Sequence, residues 1–402
     1  MLTGNAIISL YEKLETIEDA RDIRGRKYPL AYIFLFIVIG YLMGKTDFVN
    51  MEHVLKLRQD DLRSVIKPFL GIPSHDTFSR IVRITDEKEV RYALLDWIFA
   101  IFKGDDHIAI DGKGVRAATD KICKKETPYI LNALHTGYQL VMGQFKIEEK
   151  TNEITGIPEL LRMLDIKDIT ITIDAIGTQT TIAEQIVEQG GHFVLPVKGN
   201  QGNTMDSITL YMEDQINARK KSLENQEYES DYKEKLFVYE DVENNHGRCE
   251  HRTYYLSTNI DCIKGTGFKD VRAIGYVIRE RSIPKKSKDG MINGFEKSID
   301  KIAYIMDREM SAKELAKYVR DHWKIENSLH WVLDNVFKED RSTAKKGNAI
   351  ANISFFKKVA YNIIRLYKMA QPDRSFEYVL DEFNNDINLI KEYVINGIES
   401  LY

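Results

Sequence analysis

Two short runs of alternating, β-branched residues each stop on an aspartate: HIAID at 107–111 and DITITID at 168–174. Such alternation reads as strand. A carboxylate at the end of a buried strand is costly unless something pairs with it. After Asp111 the chain breaks into Gly-Lys-Gly, and after Asp174 it passes through small residues into a helical pattern. Strands that alternate with a helix predict a mixed α/β sheet with helices packed against it. In such sheets sites gather beyond the strand ends.

The surrounding pattern divides the chain into four stretches. Residues 1–104 predict a helical domain, opening on an acidic amphipathic helix rather than a signal peptide. Within it, Ser74 or Asp76 is placed to cap a helix through Phe78 and Ile81. The apolar segment YPLAYIFLFIVIGYLMG (28–44) falls short of the roughly 20 residues of a membrane span. It also carries Pro29, Gly40 and three tyrosines, so a buried helix is expected.

Residues 105–205 hold the β-rich runs HIAIDG, QLVMGQFKI, DITITIDA and HFVLPVKG. Between the last two, TQTTIAEQIVEQGG predicts a helix ending at Gly190-Gly191. Residues 206–303 start with a highly charged stretch and continue into strand-like pieces, with SIPKKSKDGMING (282–294) as a polar loop; an inserted β-rich subdomain is expected. Residues 304–402 turn helical. Ser311-Ala312-Lys313-Glu314 fits a capping box. The helix it opens is expected to run through LAKYVRDHWKIENSLHWVLDNVF, with Ile325, Leu329, Val332, Leu333 and Val336 on one stripe. NAIANISFFKKVAYNIIRLYKMA predicts another helix.

The net charge of −4 puts no overall basic field around the molecule, so a nucleic-acid partner would have to meet a local basic surface. Three candidates exist: the seven Lys and Arg residues from Arg341 to Lys368, with no Asp or Glu among them, the PKKSK loop, and Arg21, Arg24, Arg26 and Lys27. Cys123, Cys249 and Cys262 form neither a zinc spacing nor a disulfide framework, which fits a reducing cytosol.

Two carboxylates converging on one sheet edge repel unless a cation sits between them. A divalent metal would pair with both Asp111 and Asp174, and Mg²⁺ prefers such oxygen ligands. The best third ligand is Glu326, flanking the apolar stripe of its helix, with His322 and His330 four residues to either side and hence on the same face. Each residue has a plainer alternative. Asp111 and Asp174 can cap turns after strands, and Glu326 can be a surface charge. His322, Glu326 and His330 can themselves form a transition-metal array.

At these residues the sequence resembles the ISAs-type insertion-sequence transposases, including the H-repeat-associated proteins, within the DDE superfamily. The resemblance runs over nearly the whole chain: YPL (28–30), PSHDTFSR (73–80), IAIDGKGVR (108–116), NEITGIPELL (152–161), DAIGTQ (174–179), LPVKGNQ (195–201), HGRCEHR (246–252), HWKIENSLHWVLD (322–334) and FKEDRS (337–342). It implies an RNase H-like catalytic core over 105–205, a β-rich insertion over 206–303 and core completion over 304–402. The preceding helical domain, 1–104, would recognise the element's ends. It further implies that Asp111, Asp174 and Glu326 bind two Mg²⁺ ions, with Mn²⁺ as an alternative. These would serve cleavage at transposon ends and strand transfer into target DNA, with no covalent protein–DNA intermediate.

Double-stranded DNA is the implied partner, with a homodimer in a synaptic complex, no membrane, and a cytoplasmic, nucleoid-associated location in bacteria. Candidate DNA contacts are Lys113, Arg116, Lys198, Asn200, Arg320, His322, Asn327, His330, Arg341, Lys345 and Lys346. Related transposases with a β-insertion often carry Tyr, Arg and Lys around the Glu. Here those positions hold Val319, His322 and Leu333, so Arg320, His322 and Asn327 are the candidates for part of that role. Alternatives to a transposase are an RNase H-like nuclease that cuts without joining, a non-catalytic DNA-binding descendant, and a structural protein whose carboxylates are turn caps.

Overall fold

Local signals fix many element boundaries. Ser74 accepts from the Thr77 N–H and starts the helix His75–Ile84. Ser311 and Glu314 form the reciprocal capping box that starts Ala312–His322. Gly190, at φ +77°, ends the helix after Thr180–Glu188 in a conformation that a Cβ would strain. The computed structural model describes residues 7–102, 106–118, 127–147, 153–224, 236–245, 248–286, 292–344 and 346–399.

Along the chain, β1 (Ile7–Ile8) is followed by helices α1 (Leu10–Glu15), α2 (Leu30–Leu42), α3 (Phe48–Leu57), α4 (Gln59–Val65), α5 (His75–Ile84) and α6 (Glu87–Ile101). Strands β2 (His107–Gly114), β3 (Tyr129–His135) and β4 (Leu140–Ile147) lead to α7 (Glu153–Arg162). Next come β5 (Thr170–Ile173), α8 (Thr180–Glu188), β6 (His192–Val197) and α9 (Gly202–Glu224). Strands β7 (Phe237–Asn245), β8 (Arg248–Ser257), β9 (Ala273–Lys286) and β10 (Ile292–Met306) precede α10 (Ala312–His322). A π-helical turn, Ile325–His330, joins α11 (Trp331–Asn335). Helices α12 (Ala349–Ala370) and α13 (Phe376–Asn385) and strand β11 (Ile398–Glu399) complete the set used below.

The chain forms two units. The first comprises Met1–Asp105, Asp111–Leu164 and Lys324–Tyr402, and the second Asp106–Ile110 and Asp165–Trp323. In the first unit α2 is buried at every position, as its all-round apolar sequence requires. It packs on α12, where the rings of Phe34 and Phe356 lie 4.7 Å apart. Helix α12 also covers strand β4. There the Asn362 amide accepts from the Val141 N–H and donates to the Val141 carbonyl, at 2.8 and 2.9 Å, and Gln144 donates to the Ala351 carbonyl. Side-chain amides thus satisfy backbone groups that an uncovered strand would leave open.

In the second unit the strand order is β2-β5-β6-β10-β9-β8-β7. Strands β2, β5 and β6 are parallel, and β10 joins β6 antiparallel through Ala303↔Val197. Every residue of β5 is buried, as expected of a parallel strand covered on both faces. The β-rich stretch therefore continues the sheet of β5 and β6 rather than forming a sheet of its own. Helix α10 packs on β7 and β8, burying Leu315 and Tyr318 in a cluster with Tyr254, Leu256 and Met306.

Several expectations need correction. Residues 206–303 open with the 23-residue helix α9, whose charged surface masked its pattern. Strands β9 and β10 extend into the region read as a polar loop, with Pro284 opposite Phe295. Strand β3 lacks alternation, since all but its first residue are buried.

Candidate active site

Asp111 lies at the point where β2 passes from fully buried residues to half-buried ones. Gly112 follows because a Cβ there would overlap the Tyr129 ring and come within 2.6 Å of Glu153 Oε1. Far along the chain, Glu326 sits exposed in the π-helical turn, where the Trp331 N–H donates five residues back to the Glu326 carbonyl. The expected continuous α-helix is thus widened by one residue at the glutamate itself. Such turns are rare and often mark functional positions.

Asp111 and Glu326 line the same cavity, of about 880 Å³, together with Lys113, Asn327, His330 and Trp331. His330 Nδ1 stands 3.6 Å from Asp111 Oδ2, and its Nε2 is 3.3 Å from the Asn132 amide. The imidazole therefore stands beside the Asp111 carboxylate, within ion-pair range when protonated. The cavity's lining offers the carboxylates of Asp111, Glu326, Asp334 and Asp340 beside the His330 imidazole, with no thiolate, and the carboxylates suit a hard divalent cation. Among the described residues, no three His, Cys, Asp or Glu side chains are grouped closely enough to hold a metal ion.

Lys113 has a different place from the one expected. Its side chain is 8% exposed, and its ammonium lies 2.6 Å from Asp334, 3.1 Å from Asp340 and 3.4 Å from Glu339. Burial works against its charge, but Glu339, Asp334 and Asp340 outweigh burial and hold its pKa above the ordinary lysine value. Burial raises the Asp334 pKa, and crowding by Asp340 and Glu339 adds to that against the pull of Lys113. The ammonium is committed inside the protein rather than offered to a phosphate.

Deeper in this network, Glu339 accepts from Ser354. Burial opposes its ionisation, but Lys358, Lys113 and Lys357 together hold its pKa at about 2. Lys357 and Lys358 are 1% and 2% exposed, and burial pulls both to about 8 despite Glu339. Two of the seven cations in the Arg341–Lys368 run are therefore interior. Arg341 and Lys346 are exposed, and Lys345 lies outside the described residues. The Arg21 run is structural in part as well: Arg21 is buried against Asp19, and Arg26 donates to the Asp19 and Arg21 carbonyls.

In the second unit Asp174 ends β5, and its Oδ1 accepts from the Gly177 N–H at 3.3 Å. One oxygen thus does what a turn cap does. Asn200 donates to the Ala175 carbonyl at 2.7 Å, tying the loop after β6 to the residue beside Asp174, while Lys198 is exposed. Arg320 is held by Asp241 and Glu243, at 2.6 and 2.9 Å. Thr172 Oγ1 sits between two imidazoles, 2.8 Å from His107 Nε2 and 2.9 Å from His322 Nδ1. The His322 ring thus has its partner within the second unit, and the His330 ring has Asn132 and Asp111 beside it within the first. Burial, with Lys198 nearby, pulls the His322 pKa down to about 4.

A lowered histidine pKa means the unfolded chain takes the proton first. The stability from neutral His322 is complete above pH 6.5 and is lost as pH falls toward about 4. Replacing His322 with Asn is expected to flatten the fall in urea midpoint between those pH values. An unchanged slope would show that the ring is already protonated in the fold.

Sequence reasoning did not single out Asp334, Glu339 and Asp340. They lie in quoted blocks, but only their meeting with Lys113 gives them a role. Arg116 and Asn327 were expected at the site and do line the cavity.

A family profile described as "Transposase DDE domain" matches residues 102–363, and one described as "DDE_Tnp_1-associated" matches residues 11–98. The H repeat-associated putative transposase YhhI of Escherichia coli (strain K12) is 33% identical over 359 residues, covering 88% of this chain and 90% of that protein. The putative transposase YncI of Escherichia coli O157:H7 is 33% identical over 364 residues, covering 90% of this chain and 88% of that one. A solved structure, the cryo-EM structure of piggyBac transposase synaptic complex with hairpin DNA, aligns with 97% of this chain and 83% of its own at a TM-score of 0.41 and 12% identity. The chain belongs to the transposase DDE domain family, among relatives that include the H repeat-associated putative transposases.

Proposed function

We propose that this chain is the transposase of an insertion sequence, cutting DNA at the element's ends and joining those ends to target DNA. The observation that carries the reading is that Asp111 and Glu326, remote in sequence, line one open cavity. Asp111, Glu326 and Asp174 are the carboxylates that would hold Mg²⁺ or Mn²⁺, as two ions, on an RNase H-like core. When bound, such ions polarise the phosphate and favour a hydroxyl nucleophile at neutral pH.

The chain's own groups do the rest. His330, when protonated, steadies the Asp111 carboxylate. Arg116, Lys198, Arg341 and Lys346, all exposed, offer cations to DNA phosphates, and Asn327 offers an amide at the cavity wall. The partner is double-stranded DNA, both element ends and target, held by two copies of the chain in the cytoplasm on the nucleoid.

The test is cleavage of a duplex carrying the flanking element ends with Mg²⁺ present, followed by incubation of a pre-cut end with plasmid. Covalent joining of the 3′-end is expected. Cutting without joining would favour a nuclease, and binding without cutting a non-catalytic descendant.

A further inference from the structure

Lys113 is two residues beyond Asp111 on β2, so the two side chains leave the strand on the same face. Asp334 lies on α11, directly after the turn that carries Glu326. The 2.6 Å ion pair between Lys113 and Asp334 therefore joins the strand of one cavity carboxylate to the helix of the other. Both partners line the cavity. The pair is not required to neutralise Glu339, on which Lys358 and Lys357 also bear.

The turn between Glu326 and Asp334 makes the anchor matter. A π turn holds one residue more than an α-turn, and gaining or losing a residue rotates what precedes it by about 100°. A fixed point beyond the turn resists that relaxation. The anchor is mostly buried, so salt screens it little.

We propose that Lys113 is a positioning residue, which through Asp334 sets the placement of Glu326 against Asp111. The role rests on the reading of this cavity as the cutting site. Its consequence is a dependence of metal affinity on a pair that itself offers the metal nothing on the lysine side.

The test uses the full chain and Mn²⁺ alone as the probe. Mn²⁺ binding to DNA-free protein is measured by isothermal titration, and Mn²⁺ is titrated against cleavage at saturating DNA. The variants are Asp334→Asn, Lys113→Met and Lys113→Arg. Asp334→Asn and Lys113→Met are expected to weaken Mn²⁺ binding and raise the half-saturating Mn²⁺ for cleavage by about tenfold, with DNA binding unchanged. Lys113→Arg keeps the charge and is expected to stay close to wild type.

Asp334→Asn can refute the role even where Lys113→Met fails to fold, because Lys113 keeps Asp340 and Glu339; support for positioning over direct ligation by Asp334 comes from weakened Mn²⁺ binding in Lys113→Met, which removes no ligand oxygen. A folded Asp334→Asn with a lower melting temperature but wild-type Mn²⁺ dependence would sink the positioning role alone. A wild-type protein that neither binds Mn²⁺ nor cuts DNA would sink the cutting-site reading and this role with it.

Discussion

Asp111→Asn, Asp174→Asn and Glu326→Gln are each expected to reduce cleavage of end-bearing DNA by roughly a thousandfold or more, while DNA binding holds. Each substitution keeps the shape of the side chain and removes one negative charge. A cation held by fewer charges binds more weakly and stabilises the crowded phosphate less, an effect of several kcal/mol. Affinity for the duplex, which the proposed function assigns to surface cations, is expected to stay in place. Cleavage rates and gel-shift affinities measured on the same preparations separate the two. The Asp174 variant is the most discriminating, because one of its oxygens caps the turn at Gly177. If Asp174→Asn cuts normally, Asp174 is a turn residue and the three-carboxylate assignment is wrong.

Glu339→Ala is expected to destabilise the fold by about 3–5 kcal/mol, the cost of stranding buried charge by removing its partner. Glu339 is 3% exposed and bears on Lys113, Lys357 and Lys358, so its loss takes from the buried Lys357 and Lys358 the carboxylate that acts most strongly on them, while Lys113 keeps Asp334 and Asp340. Lys358 would keep only the neutral oxygens of Gln144 and Ser354, at 2.6 and 2.7 Å. Urea unfolding followed by circular dichroism measures the loss. Adding Lys358→Met should recover part of it, since an apolar replacement removes one of the stranded charges.

The deficit also has a pH signature. It is largest where the folded protein holds these lysines charged, below about pH 8, and narrows as pH rises through about 8, where they become neutral in the fold and no longer need the carboxylate. Wild-type stability in Glu339→Ala would mean that the network does not hold this part of the molecule.

What could be read from the chain itself was local. The serine caps at 74 and 311, the stop at Gly190 and the strand that halts before Asp174 all depend on residues within a few positions of one another, whereas the strand read as ending at Asp111 runs on to Gly114. Short-range hydrogen bonds and side-chain periodicity suffice to express them. The resemblance of quoted blocks then pointed to the family that the comparisons show.

Other features were settled only by tertiary structure. Lys113, Lys357 and Lys358 read as cations for phosphate, yet they are interior because Glu339, Asp334 and Asp340 reach them from elsewhere in the chain. Burial of a charge depends on partners that no local pattern announces. Strand β3 carries no alternation because nearly all of it is covered, and α9 hid behind its charged surface. The π turn at Glu326 is a choice of one hydrogen bond over another, Trp331 to Glu326 rather than to Asn327. Intrinsic preference separates those two bonds weakly, so packing on both sides of the turn decides between them.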